Sequence, residues 1–320
     1  MLLLSAACFG AMAVFAKLAY AAGADPAGLL IVRFGGAALV LAAAVAVTRP
    51  ARPARRDLLF LAGLGVVYVC QALSFLTAVA RIPAGLAAVL LYTYPILVAA
   101  AAALFLRQRP TRRQLGAMAA ATAGVVLVAA PAMSRDAAGI ALALAAAVFY
   151  TGYLVLGAGV TARVPAMVAT AVVCVVAFAG NAGLGAAAGA SFPRTTGGWL
   201  AVIAIALVST IVALAAMFAG LRLQGPTTAA TVSTFEPVVT VALAYVVFGE
   251  TLSPAQLGGG VLVLAAVTLL TLAPGSHAAA PARPEVPAER AGAPAAQEAA
   301  PGPRPGSGPP SPEAEPGRAS

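Results

Sequence analysis

Charge is scarce in this chain. Of 320 residues only 9% are charged, against roughly 25% in ordinary soluble domains. That excludes a typical water-soluble globular fold. Lysine is nearly absent, with Lys17 alone, and the single histidine, His277, falls near the C-terminal end. A histidine-based catalytic centre or a histidine metal site in the apolar region is thereby excluded. Cys8, Cys70 and Cys174 sit singly in apolar runs with no CxxC spacing, so they read as small core residues. There is no GxSxG motif and no pair of aspartates in the apolar region. The chain does not read as an enzyme, and no cofactor or metal is expected. The net charge of +9 resembles a nucleic-acid binder until it is located. Residues 1–274 carry 15 basic and 5 acidic groups, and residues 275–320 carry 4 and 5. The excess lies in loops between hydrophobic runs, where membrane topology places it, so no nucleic-acid partner is expected.

Hydrophobic residues are abundant at 62%, with a mean hydropathy of +0.97. Crossing a bilayer core about 30 Å thick takes about 20 apolar residues as a helix. Ten such runs are read at 2–22, 27–47, 58–80, 83–106, 112–130, 137–157, 164–189, 198–221, 226–248 and 254–273. Proline and glycine mark most of the joints. The first run lacks a basic leader and is interrupted by Lys17, so it reads as a span rather than a signal peptide. Arg49, Arg52, Arg55, Arg56, Arg107, Arg109, Arg112, Arg113, Arg163 and Arg222 fall on one side of the membrane. The other side holds Arg81, Arg135 and Arg194 with Asp25, Asp136 and Glu250. The positive-inside rule makes the arginine-rich side cytoplasmic, with both termini there, in the cytoplasmic membrane. Residues 274–320 are rich in Pro, Ala, Gly, Glu and Ser without an apolar period, and are expected to be a disordered cytoplasmic tail.

Two segments match at a constant offset of 142 residues. Ala87-Ala88 pairs with Ala229-Ala230, Pro95 with Pro237, and Gln114-Leu115-Gly116 with Gln256-Leu257-Gly258. The repeat unit holds five helices, an odd number, so the second copy enters from the opposite side. The expected fold is an all-α membrane protein with ten transmembrane helices, built as inverted repeats over 1–130 and 137–273. Inverted repeats of this kind are a secondary-transporter architecture, with substrate bound near the midplane at interrupted helices.

Glu236 lies about ten residues into the ninth run, near the midplane at 1.5 Å per residue. A carboxylate there is costly unless it faces a cavity or a partner. Pro237 follows and removes a backbone donor. The repeat counterparts are Tyr94 and Pro95. Ser233, Glu236 and Thr240 share one helix face, and Thr227, Thr231 and Thr234 another. The first is read as the cavity face and the second as packing. Lys17 and Arg33 lie near the outer ends of the first two runs. They either snorkel to headgroups, or line a vestibule that attracts an anion, or pair with Glu236. Gln71, Ser74, Thr77, Tyr150 and Tyr153 add polar lining. Gly249–Pro254 reads as a structural loop in which Ser253 caps the last helix with Pro254 at its first position. Gly185–Gly189 and Gly258-Gly259-Gly260 permit close helix contact, within one chain or between two copies of a homodimer.

These residues carry a resemblance. Phe9-Gly10 with Lys17, Pro26 with Arg33-Phe34, and Phe235-Glu236-Pro237 with Phe248-Gly249-Glu250-Thr251-Leu252 are similar to the patterns of EamA domains of the drug/metabolite transporter superfamily, over about residues 1–273. The resemblance implies ten helices in an inverted repeat, both termini inside, and efflux or uptake of small metabolites. The Glu-Pro pair resembles the threonine/homoserine exporters of that family. The first repeat departs from the pattern, with Tyr94 in place of Glu236 and Arg107-Gln108 in place of Gly249-Glu250. The expected function is export of amino acids or similar small polar metabolites, coupled to proton entry. The expected partners are that substrate and membrane lipid. A nucleotide-sugar or lipid-linked sugar transporter, or a lipid flippase, is the alternative.

Overall fold

The computed structural model describes residues 1–51, 53–105, 111–161, 163–213, 216–217, 223 and 232–272. The expected start of the ninth span, the end of the eighth, Arg52, Arg107, Arg109, Arg222, Thr227, Thr231 and the tail lie outside them. Among the described residues every regular element is helical. In chain order they are α1 (Leu2–Gly10), α2 (Met12–Ala21), α3 (Pro26–Thr48), α4 (Arg55–Arg81), α5 (Ala84–Leu91), α6 (Tyr94–Phe105), α7 (Arg112–Thr161), α8 (Ala166–Ala188), α9 (Thr196–Ala206), α10 (Glu236–Phe248) and α11 (Pro254–Thr271). A π-helical turn, Leu207–Val212, continues α9. Five stretches are long and apolar enough to cross a membrane: Leu2–Ala21, Pro26–Thr48, Arg55–Arg81, Asp136–Gly157 and Met167–Ala188. The other apolar helices are shorter.

The expected first and fourth spans are each split in two. α1 and α2 meet at Ala11, and α5 and α6 meet at Tyr92-Thr93. The expected fifth and sixth spans are two helices that meet directly at a kink. α7 is helical throughout except at Asp136 (φ −153°, ψ 83°), which takes the place of a loop. Asp136 acts there as a local cap, its Oδ1 accepting from Gly139 N at 2.8 Å.

Contacts between loops sort the chain ends into two faces. Asp25 caps α3 by accepting from Gly28 N, with Pro26 in the first turn, and it also accepts from Ser191 N at 3.1 Å. Arg194 N donates to Ala22 O at 2.8 Å. Arg81 pairs with Asp136 at 3.1 Å. Arg163 pairs with Asp57 at 3.0 Å, joining the end of α7 to the start of α4. Each pair joins positions that alternating spans put on the same side. Exposed Leu39, Leu59 and Val246 belong to an apolar outer surface suited to lipid tails.

Lipid removes most of the hydrophobic drive for helices to pair, so close packing of small residues holds them. Ala16, Ala78, Ala84, Ala143 and Ala177 are fully buried. α7 and α11 cross backbone to backbone. A methyl group on Gly124 would lie 2.7 Å from Gly259 O, and one on Gly259 2.6 Å from Gly124 O. Of the Gly258–Gly260 run, Gly259 therefore serves a contact within the chain. Ser253 and Gln256 cap α11 reciprocally, with Ser253 N donating to Gln256 Oε1 at 2.9 Å and Gln256 N to Ser253 Oγ at 3.3 Å. Gly259→Val is expected to lower stability by about 1–3 kcal/mol through overpacking. A thermal melt of the detergent-purified variant checks it, with Gly258→Val, at a position with open space, expected to be near neutral.

Candidate functional site

Three interruptions converge. Pro95 and Pro237 each stand second in a half-helix, behind Tyr94 and Glu236. Proline suits that position, where its missing N–H has no helical partner to lose. The expected continuous ninth helix does not run through Glu236. The chain turns at Thr234-Phe235 and α10 starts at Glu236 itself. A carboxylate in a first turn faces the positive end of the helix dipole. Ser233 consequently sits before the turn, ahead of α10, which carries Glu236 and Thr240.

The third interruption, at Ala11, brings Gly10 against the same point. A methyl group on Gly10 would lie 2.6 Å from Glu236 O, so only glycine permits this approach. Thr240 Oγ1 is 2.8 Å from Gly10 O and 3.1 Å from Glu236 O. Its hydroxyl is thus engaged by backbone and staples α1 to α10. Tyr92 Oη donates to Ser233 O at 2.8 Å, tying the end of α5 to the approach to α10. The bonds to Gly10 O and Ser233 O answer carbonyls at the ends of helical segments, while Glu236 O belongs to the first turn of α10.

A cavity of about 40 Å³ opens beside this junction, enough for a water or two. Phe9, Phe75, Leu91, Tyr92 and Glu236 are among its lining residues, and Glu236 is the charged one. The Tyr92 hydroxyl is also within hydrogen-bonding reach of the Glu236 carboxyl, and Tyr94 and Tyr150 are its electrostatic neighbours. Of the site residues expected from sequence, Glu236, Tyr94, Thr240, Pro95 and Pro237 therefore come together. Tyr92 was not singled out. Its signal was its place in Leu91-Tyr92-Thr93-Tyr94-Pro95, directly before the break.

Lys17 and Arg33 stand apart from the carboxylate. Lys17 Nζ pairs with Glu250 Oε1, not Glu236, and it is only part exposed. Glu250 Oε2 accepts from Ala84 N at 2.8 Å, at the start of α5. One carboxylate thus ties α2, the loop before α11 and α5. Glu250 does more than shape its loop. At the 142-residue offset the counterpart of Glu250 is Gln108, which cannot form an ion pair. Arg33 is 8% exposed, too buried to snorkel, and its guanidinium lies 5.3 Å from the Phe34 ring.

The model of the EamA-like transporter family matches residues 1–130 and 137–272. The chain belongs to the EamA-like transporter family. It is therefore a multi-pass membrane protein of a drug/metabolite-transporter type. No curated protein matches the chain. Among solved structures, one described only as a crystal structure of a protein aligns with a TM-score of 0.58 over 84% of this chain and 98% of that one, at 20% identity. That likeness concerns the fold alone.

Breaking the Lys17–Glu250 tie is expected to loosen the end of this EamA protein where α2 and α5 meet. A part-exposed pair is worth about 1 kcal/mol, which sets an increase of about fivefold. The measurement is labelling of Ala13→Cys by an impermeant maleimide in a chain without its native cysteines. Glu250→Gln should raise the rate, and the swap Lys17→Glu with Glu250→Lys should restore it only in part, because a lysine at 250 cannot accept from Ala84 N. An unchanged rate in Glu250→Gln would show that the pair does not hold this end together.

Proposed function

We propose that the protein is a secondary transporter that exports amino acids or similar small polar metabolites across the cytoplasmic membrane in exchange for protons. One observation carries the reading: an ionisable carboxyl, Glu236, stands at the junction of interrupted helices and borders a cavity. Intramembrane carboxyls mark ion and proton paths, and transporters place their sites at such junctions.

The hydrogen bonds suggest how a proton is linked to movement. The Tyr92 phenol has one proton, and it goes to Ser233 O. Its oxygen is then left as an acceptor toward Glu236. A protonated Glu236 donates to that oxygen and leaves the Tyr92–Ser233 tie intact. An ionised Glu236 competes for the phenol proton and frees Ser233 O. Protonation thus favours the closed junction, and ionisation or an arriving ammonium group loosens it. A nucleotide-sugar substrate finds no support in this cavity, whose charged lining group is acidic.

The test is accumulation of a mixed panel of amino acids, amines and sugars in everted vesicles, with and without an imposed pH gradient. A one-unit gradient supplies about 1.4 kcal/mol per proton, or about tenfold accumulation. Wild type should accumulate its substrate only with the gradient, and Glu236→Gln should lose that gain. Gradient-driven accumulation by folded Glu236→Gln would remove the coupling role.

A further inference from the structure

Arg33 is a buried cation without a protein counterion. Its Nε is fully buried and unbonded, and no hydrogen bond or ion pair reaches the guanidinium among the described residues. Residues 1–272 hold five carboxylates, and each is engaged elsewhere. Asp25 binds Gly28 N and Ser191 N, Asp57 binds Arg163, Asp136 binds Arg81, Glu250 binds Lys17, and Glu236 faces Tyr92. A guanidinium offers five donors in a planar fork suited to a bidentate oxyanion. Left dry and unpaired it is destabilising.

The surroundings of Arg33 are aromatic. Phe34 meets Tyr68 edge-on at 5.6 Å, Tyr68 meets Tyr153 at 5.1 Å, and Tyr153 stacks with Tyr150 at 6.2 Å. Tyr150 meets Tyr94 at 4.7 Å, and Tyr94 meets Tyr92 at 5.7 Å. This file of rings joins the Arg33 region to Glu236. Tyr94 and Tyr150 are both part exposed, so the file offers ring surface to a ligand. Tyr92, Tyr94 and Tyr150 are electrostatic neighbours of Glu236, and Cys174 is one of Arg33.

We propose that Arg33 is the subsite for a carboxylate of the transported molecule, and that the substrate is an organic acid with a flat, unsaturated or aromatic body lying on the tyrosine file. The inference rests on the transporter reading for calling this ligand a substrate. Rings line the path because their faces accept a flat apolar body and their hydroxyls keep the passage wettable. Arg33 supplies the anion selectivity that Glu236 cannot.

The experiment is thermal stability and equilibrium binding of purified protein in nanodiscs. The probes are a panel of aromatic and unsaturated carboxylates, each paired with its neutral amide. Wild type should bind at least one acid about tenfold or more tightly than its amide, the size of a lost charge-assisted contact. Arg33→Lys should keep part of that preference and Arg33→Met should lose it. Arg33→Met should also melt at a higher temperature, because it removes an unpaired buried charge, whereas a structural arginine would melt lower on removal. Glu236→Gln should keep the acid preference. That separates the two readings: failed gradient-driven transport with intact acid binding sinks the proton-coupled transporter only. Three results overturn the Arg33 subsite. They are no acid preferred over its amide, an acid preference undiminished in Arg33→Met, and stabilisation by phosphatidylglycerol over phosphatidylcholine nanodiscs that depends on Arg33. The last would make the oxyanion a lipid headgroup.

Discussion

Backbone carbonyls freed by helix interruption are what this structure is organised around. A membrane interior offers little water to satisfy them. Gly10 O takes Thr240, and Ser233 O takes Tyr92. The broken elements are thereby held together by two side chains rather than by continuous helix. Ties of this kind are few and local. Glycine at position 10 is required because the backbones touch.

The two ends of the bundle are not equivalent. Lys17, Glu250 and Ala84 N form a tie on the face that carries Asp25, Asp136 and Arg194. Under the repeat, the position matching Glu250 holds Gln108. An inverted repeat supplies two related conformations, and differences between its halves decide which is favoured. Here the difference is an ion pair present at one end and without a charged counterpart at the other.

Much of this was legible in the sequence. Composition and hydrophobic runs gave an all-helical membrane protein, and the offset of 142 located Pro95 and Pro237 as equivalent breaks. Glu236 stood out because a lone carboxylate in an apolar run has few reasons to exist. What sequence did not reveal follows from pairing in space. Helix pattern carries no information on which distant loop answers Lys17, and Glu250 lies 233 residues away. The π-helical turn at Leu207–Val212 and the split at Ala11 leave no proline signature, since neither contains one. Asp136 looked like a loop residue because it caps a helix, yet it interrupts α7 only by itself. Tyr92 was hidden by an equivalence that drew attention to its neighbour Tyr94.

The central claim is that Glu236 and Tyr92 share a proton at the junction. The most direct measurement is pH-difference infrared spectroscopy of the purified protein, read in the carboxylic-acid C=O region. A protonated-carboxyl band should appear in wild type, vanish in Glu236→Gln, and shift upward in frequency in Tyr92→Phe as its hydrogen bond is lost. A band unmoved by Tyr92→Phe would contradict the link between the proton and the Tyr92–Ser233 tie.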